Sequence, residues 1–254
     1  TVYLIETDQP LLVPVGGTIK HPDEPIAIVA APTRAKAFEA AKHVELKIKE
    51  LPGLFDVEEA LASDTKLYGD GNVFKEFNIR KGKGDDIDAV LADCDVVIEG
   101  TYRTHAQEQM YIETQGMIAN WDGDTCTLTG SLQCPYYVHK AMKPLLKVDD
   151  DHVVVRQSVT GGGFGGKEEY PSMIAGHAAV ASKKAGAPVK IVYDRDEDIG
   201  ATTKRHPSLV RHRLGLSKDG RVVACDVDVI IDGGAYLTLS PVVLSRAVLH
   251  AAGP

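Results

Sequence analysis

Between Thr160 and Glu169 the chain reads Thr-Gly-Gly-Gly-Phe-Gly-Gly-Lys-Glu-Glu, five glycines around one aromatic residue. Glycine buries no side chain and loses more backbone entropy on folding than any other residue. Such a run is useful where the chain must take φ > 0, or where N–H groups must approach another molecule closely. Gly161-x-Gly163-x-x-Gly166 satisfies the dinucleotide fingerprint, and Asp194 stands where a ribose-binding acid would sit. The spacing argues against that reading. The acid belongs roughly 20 residues on, whereas Asp194 lies 33 residues after Gly161. Lys167 to Pro171 also separates the last glycine from the next helical pattern, and Glu168 and Glu169 would repel a pyrophosphate. A P-loop is excluded because Lys167 is followed by Glu rather than Ser or Thr. What remains is a nest of N–H groups suited to a large anionic cofactor, with Glu168 and Glu169 at its rim.

Other chemistry-bearing residues are scattered. His105, His177, His206 and His250 are not grouped at metal-ligand spacing. His177 on an Ala-rich helix reads as a satisfied core residue, and His250 ends a helix where its charge suits the dipole. Cys94, Cys126, Cys134 and Cys225 form no CxxC pair, which reads as free thiols in a reducing compartment. Glu108 and Glu113 read as strand-surface acids, and Asp194 to Asp198 as a solvated acidic turn with local caps. Arg246 taken alone could be a helix-surface cation.

The elements that must position these groups follow from periodicity and turn chemistry. Residues 1–70 read as a small α/β unit. It comprises strand-like Val2 to Ile5, a buried-type strand over 25–31, and a helix capped by Thr33. An alternating strand over 44–49 and a short helix from Val57 to Ala62 complete it. Asp64 to Asp70 is the predicted boundary. Beyond it come strand 73–79, helix Asp85 to Cys94, strand Val96 to Arg103, and a hairpin turning at Asp122-Gly123. Helix Pro135 to Leu146 and strand 153–159 lead into the glycine run. An Ala-rich helix from Ser172 to Ala185, ended by Gly186 and Pro188, follows. Strand Val189 to Tyr193, a second hairpin turning at Lys218-Asp219-Gly220, and a helix from Pro241 to His250 end the pattern.

The bulk numbers suit a globular protein, with 254 residues, 44% hydrophobic and 25% charged. A net charge of −8, without a basic stripe interleaved with aromatics, points away from nucleic acid. No apolar run approaches the roughly 20 residues that span a bilayer. The chain starts without Met or a signal-peptide pattern, and is expected to be an excised piece of a longer protein or a split subunit.

Three segments taken together resemble the molybdenum-binding subunit of the xanthine dehydrogenase and aldehyde oxidase family. They are Gln107-Glu108-Gln109-Met110-Tyr111-Ile112-Glu113-Thr114, Gly161 to Glu168, and Ser245-Arg246-Ala247-Val248-Leu249-His250. Asp194 to Asp198 and Arg205-His206-Pro207 match as well. Their order over this span makes the combination specific. The resemblance implies an α+β fold. Residues 1–70 would be part of a hammerhead-like α/β domain, and residues 71–254 the first part of a mixed-sheet molybdopterin-binding domain with helices packed on it.

In that family molybdopterin holds molybdenum through its own sulfurs, so no direct protein ligand is implied. The resemblance places Gln107 and the Phe164 N–H as hydrogen-bond donors to the metal's oxo ligands, with Gly162, Gly163 and Gly165 around the cofactor. Glu168 corresponds to a substrate-pocket acid, and Arg246 to the arginine that binds substrate and stabilises developing charge. Together they favour a purine or related N-heterocycle, hydroxylated next to nitrogen with water. The resemblance also implies [2Fe-2S] and FAD partners carrying electrons to NAD or oxygen, a cytoplasmic oligomer, and a catalytic glutamate base beyond this chain. The polypeptide alone is then expected to be inactive. An aldehyde or other N-heteroaromatic member, a Rossmann-type nucleotide enzyme and a non-catalytic assembly subunit are the alternatives.

Overall fold

The computed structural model describes residues 7–82 and 86–251. In chain order its elements are α1 (Arg34–Ala41), α2 (Val57–Ala62), α3 (Ile87–Ala92), β1 (Val96–Thr104), β2 (Gly116–Trp121) and β3 (Cys126–Gly130). Then come α4 (Pro135–Leu146), β4 (Val153–Gln157), α5 (Pro171–Ala185), β5 (Val189–Val192), α6 (Arg195–Ala201), β6 (Ser208–Leu216), β7 (Val222–Ile231) and α7 (Ser240–His250). The chain divides into two compact units, each built from two segments: Thr1–Leu51 with Glu108–Lys204, and Pro52–Gln107 with Arg205–Pro254. The α+β class expected from the sequence is what the elements form.

The first unit is built on a four-stranded sheet in the order β4-β3-β2-β5. β2 pairs antiparallel with β3 and with β5, while β4 joins β3 in parallel. The Asp122-Gly123 turn forms as its chemistry requires. Asp122 accepts from the N–H groups of Asp124 (3.1 Å) and Thr125 (2.8 Å), and Gly123 takes φ 105°. On β3, Cys126 and Leu128 are buried and the two threonines half-buried, the period-2 signature of a strand packed on one face.

Against this sheet lie α4 and α5. Val138 and Met142 of α4 face the core as their spacing predicts. From Pro171 to Ala179 every residue of α5 is buried, which identifies a core helix rather than an amphipathic surface one. Its small residues permit close packing: a Cβ on Gly176 would lie 2.7 Å from the Leu11 side chain. His177 is satisfied in the core by the Leu11 carbonyl, 2.8 Å from Nε2. Full burial of a side chain such as Leu128 or Ile174 stabilises by roughly 1.5–3 kcal/mol.

The second unit carries an antiparallel sheet in the order β1-β6-β7. α2 and α3 start on the carboxylates of Asp56 and Asp86, each accepting from two N–H groups of the first turn. Arg211 and Arg213 on β6 pair with Asp228 and Asp226 on β7, and reach Glu58 of α2 and Asp88 of α3. A cleft of about 840 Å³ opens between residues 73–79, β7 and α7.

Three expected strands do not form. Residues 25–31, 44–49 and 73–79 carry no ladder pairing among the described residues, and Leu46, Ile48, Val73 and Ile79 are exposed. A strand exists only through its partner, and an apolar run or an alternation records the side-chain pattern without that partner. The acidic segment expected as a solvated turn is instead the cap and first turns of α6. Asp194 forms a capping box with Glu197, and Asp198 is wholly buried. Val2 to Ile5 and Asp85 lie outside the described residues.

Candidate functional site

The glycine run lies in the first unit, between β4 and α5, and each glycine answers to a physical demand. Gly162 and Gly165 take φ 98° and 93°, where an L side chain is strained. The others admit neighbours. A Cβ on Gly161 would meet Glu113 at 2.6 Å, one on Gly166 would meet the Tyr111 ring at 2.5 Å, and one on Gly163 would collide with the Gln133 amide. Phe164 itself adopts φ 52° and is 77% exposed. A bulky residue held in the left-handed region costs about 1–3 kcal/mol and persists only where its surroundings fix it; such residues concentrate at ligand sites.

What fixes the loop is a buried lysine and the more exposed carboxylate it meets. Lys167 is fully buried. Its Nζ donates to Glu113 Oε2 (2.9 Å) and Ser131 Oγ (3.1 Å) and stands 4.7 Å from the centre of the Tyr111 ring. The same Glu113 oxygen accepts from Ser131 Oγ (2.5 Å) and the Gly161 N–H (2.7 Å). Partial burial pushes the Glu113 carboxyl up, but these three donors outweigh it and hold it below the usual carboxylate range. Glu113 is therefore an anchor of the loop rather than a strand-surface acid. Glu108 is likewise engaged, 2.6 Å from Lys204 Nζ.

Around Tyr111 a second buried network holds the other side of the loop. The Tyr111 hydroxyl donates to Asp198 (2.6 Å), whose other oxygen accepts from the Gln115 N–H (2.6 Å). Gln115 Nε2 donates to the Gly166 carbonyl (2.8 Å). Burial, then Asp198, raises the Tyr111 pKa far above a phenol's ordinary value. Arg195 donates to the carbonyls of Tyr111 (2.9 Å) and Ile112 (2.8 Å).

The N–H groups of the loop are thereby sorted. Gly161 N–H is taken by Glu113, Gly165 N–H by Gln133 Oε1 (3.0 Å), Gly166 N–H by the Gly163 carbonyl (2.8 Å), and Lys167 N–H by Gln133 Oε1 (3.2 Å). Gly162, Gly163 and Phe164 keep N–H groups with no partner among the described residues. Glu168 is half-buried. Glu169, expected at the rim, is instead buried, because α5 starts two residues later and Ser172 N–H donates to its carbonyl (3.0 Å). Burial, with Glu168 adding to it, pushes the Glu169 carboxyl up to about 8.

Gln107 and Arg246 belong to the second unit. Gln107 is exposed and forms an antiparallel bridge with Arg205, whose N–H donates to its carbonyl (3.0 Å). Arg246 is exposed on α7 and makes no ion pair among the described residues. The helix is tied at its start, where His206 Nε2 meets Ser240 Oγ at 2.8 Å. Among the described residues no cluster of His, Cys, Asp and Glu could hold a metal ion, and the four cysteines are free thiols. No described helix is long and apolar enough to cross a membrane.

The Rossmann alternative fails on its own requirement. The sheet is mixed, with its parallel neighbours confined to β3 and β4, and the glycine run is not at a helix N-terminus. Gln133, Ser131 and the contact of Tyr111 with the loop were not legible, since no spacing in the sequence marks their convergence. The one usable signal was Lys167, a charge set directly after the last glycine of the run.

Residues 69–254 match the family model of the molybdopterin cofactor-binding domain. The chain is 34% identical over 253 residues to the nicotinate dehydrogenase large molybdopterin subunit of Eubacterium barkeri, covering 99% of this chain and 58% of that protein. It is 32% identical to a probable xanthine dehydrogenase subunit of Bacillus subtilis, covering 99% of this chain and 33% of that one. Quinoline 2-oxidoreductase from Pseudomonas putida 86 superposes with a TM-score of 0.78 at 25% identity, covering 90% of this chain and 29% of that one. The chain thus spans 58% or less of the length of these relatives.

Proposed function

We propose that this chain, which belongs to the molybdopterin cofactor-binding domain family, supplies part of the cofactor and substrate site of a molybdenum hydroxylase acting on a nitrogen heterocycle. The observation that carries this reading is the glycine loop, anchored from within, in which the N–H groups of Gly162, buried Gly163 and exposed Phe164 have no partner among the described residues. Those donors, with Phe164 fixed in a strained conformation between glycines, fit an anionic cofactor that carries its own metal ligands. When bound, molybdopterin supplies the two-electron redox chemistry that hydroxylates a ring carbon with oxygen from water.

The chain's own residues orient and hold. Phe164 N–H, held by the loop, and the Gln107 side-chain amide would serve as neutral donors to the bound cofactor and stabilise charge there. Glu168 hydrogen-bonds a ring nitrogen of the substrate, as donor or acceptor according to its protonation. Arg246, exposed on α7, stabilises negative charge developing on a substrate oxygen. In this assignment residues 1–70 are part of the hammerhead domain and 71–254 the first part of the cofactor domain. Iron–sulfur and flavin partners take up the electrons, in a cytoplasmic oligomer whose reducing surroundings suit four free thiols. The names of three of the similar proteins, dehydrogenases of nicotinate and xanthine and an oxidoreductase of quinoline, support a nitrogen heterocycle, whereas a structural neighbour named as an aldehyde oxidoreductase from Desulfovibrio gigas supports the aldehyde alternative.

Substrate class is tested by Glu168→Ala in the complete enzyme, assayed with xanthine, nicotinate and an aromatic aldehyde. Heterocycle turnover is expected to fall about 100-fold, in the range for losing a positioned acid or base, with aldehyde turnover little changed. Equal losses on all three substrates would remove Glu168 from the substrate site.

A further inference from the structure

Gln133, at the foot of α4, touches the glycine loop with three separate bonds. Its N–H donates to the Lys167 carbonyl (2.7 Å), and its side-chain Oε1 accepts from the N–H groups of both Gly165 (3.0 Å) and Lys167 (3.2 Å). The absent Cβ at Gly163 is what lets the amide lie there, since a side chain at that position would strike it. Gln133 therefore engages the loop on both sides of Phe164, beneath Gly163 before it and at Gly165 after it. The Gly166 N–H closes a tight turn onto the Gly163 carbonyl (2.8 Å) across the same residue. A phenylalanine at φ 52° has no intrinsic preference for that conformation. The bonds that close around it supply the constraint.

We infer that Gln133 is a positioning residue for the cofactor: its amide oxygen occupies the N–H groups of Gly165 and Lys167 and so holds the Phe164 N–H, left without an internal partner, toward the bound group. This rests on the reading of the loop as part of a molybdopterin cradle. The amide has a second consequence for selectivity among donors. An anion approaching the loop meets half-buried Gly162 and exposed Phe164, because the next donors along the chain are already occupied from within. The Lys167–Glu113 pair anchors the loop ends and would remain when Gln133 is changed.

The test uses the complete holoenzyme. Gln133→Met keeps the volume and removes the acceptor, while Gln133→Glu keeps an acceptor at the same reach. For Gln133→Met, deuterium exchange of the peptide containing Gly165 and Lys167 should accelerate about 10-fold or more, the loss of a hydrogen bond of ordinary strength. The Mo(V) signal of the reduced enzyme should shift, and kcat should fall on the order of 10-fold with KM held within about two-fold, as for weakening a donor that acts on developing charge. Gln133→Glu should restore the signal and the rate. Unchanged exchange together with an unchanged Mo(V) signal would overturn the positioning role. Faster exchange with an unchanged Mo(V) signal would show that Gln133 holds a loop that does not face the metal, which overturns the cradle reading as well. If Gln133→Met does not fold, Gln133→Asn, one methylene too short to reach the loop, carries the same expectations.

Discussion

A fully buried lysine is tolerated only when paired and hydrogen-bonded, and Lys167 is both. Removing its partner leaves an uncompensated interior charge, so the loop's anchor is sensitive to single changes in a way its exposed Phe164 is not. Glu169 presents the opposite case, a buried carboxyl whose pKa is raised from 4.5 to about 8 by burial and then by Glu168. The folded protein keeps that proton over a range where the unfolded chain has released it. Stability therefore falls as pH rises from about 4.5 to about 8, the sign set by the folded state binding more protons. Glu169→Gln removes this dependence. Its melting temperature should match the parent's near pH 4 and exceed it by about 3 °C or more at pH 8, where a gain of 1 kcal/mol is worth roughly 2–4 °C. A gain that does not grow across that range would show the carboxyl to be ionised and accommodated. The burial of Glu169 was not readable from its neighbours, because Glu168 and Glu169 are chemically alike and only the start of α5 separates their fates.

Elements fixed by local chemistry came through intact. Thr33, Asp56 and Asp122 accept the hydrogen bonds their sequence contexts predict, and α4 and α5 begin on prolines and end on left-handed residues. Strands without a partner failed, as residues 44–49 and 73–79 show. α6 is the instructive mixture. Its capping box is local, but the burial of Asp198 under Tyr111 and Gln115 is tertiary. The two contributions are separable by denaturant unfolding. Asp194→Ala should cost about 1 kcal/mol, the ordinary value of a lost N-cap. Asp198→Ala should cost about 3 kcal/mol or more, because it strands two buried donors at once. Equal costs would reduce the segment to a helix start with no part in supporting the loop.

At the scale of the molecule, the chain spans 58% and 33% of the two dehydrogenase subunits it resembles, so the proposed activity is one of a complete protein. That protein should purify with molybdenum, and with iron and flavin from its partners, readable by metal analysis and visible absorbance. Molybdenum without iron or flavin would leave the electrons no route and exclude the proposed partners. The sequence by itself determined the family-specific segments, the glycine loop's unsuitability for a dinucleotide, and the elements whose caps and turns are local. These depend on residues within a few positions of one another, or on ordered motifs. Only the tertiary structure decided that Lys167 is a buried anchor, that Glu113 and Gln133 shape the loop, and that Phe164 keeps an N–H with no partner among the described residues. The physical reason is separation along the chain. Glu113, Ser131 and Gln133 meet residues 161–167 from β-sheet neighbours dozens of positions away, and no period in the sequence encodes a contact that a sheet register creates.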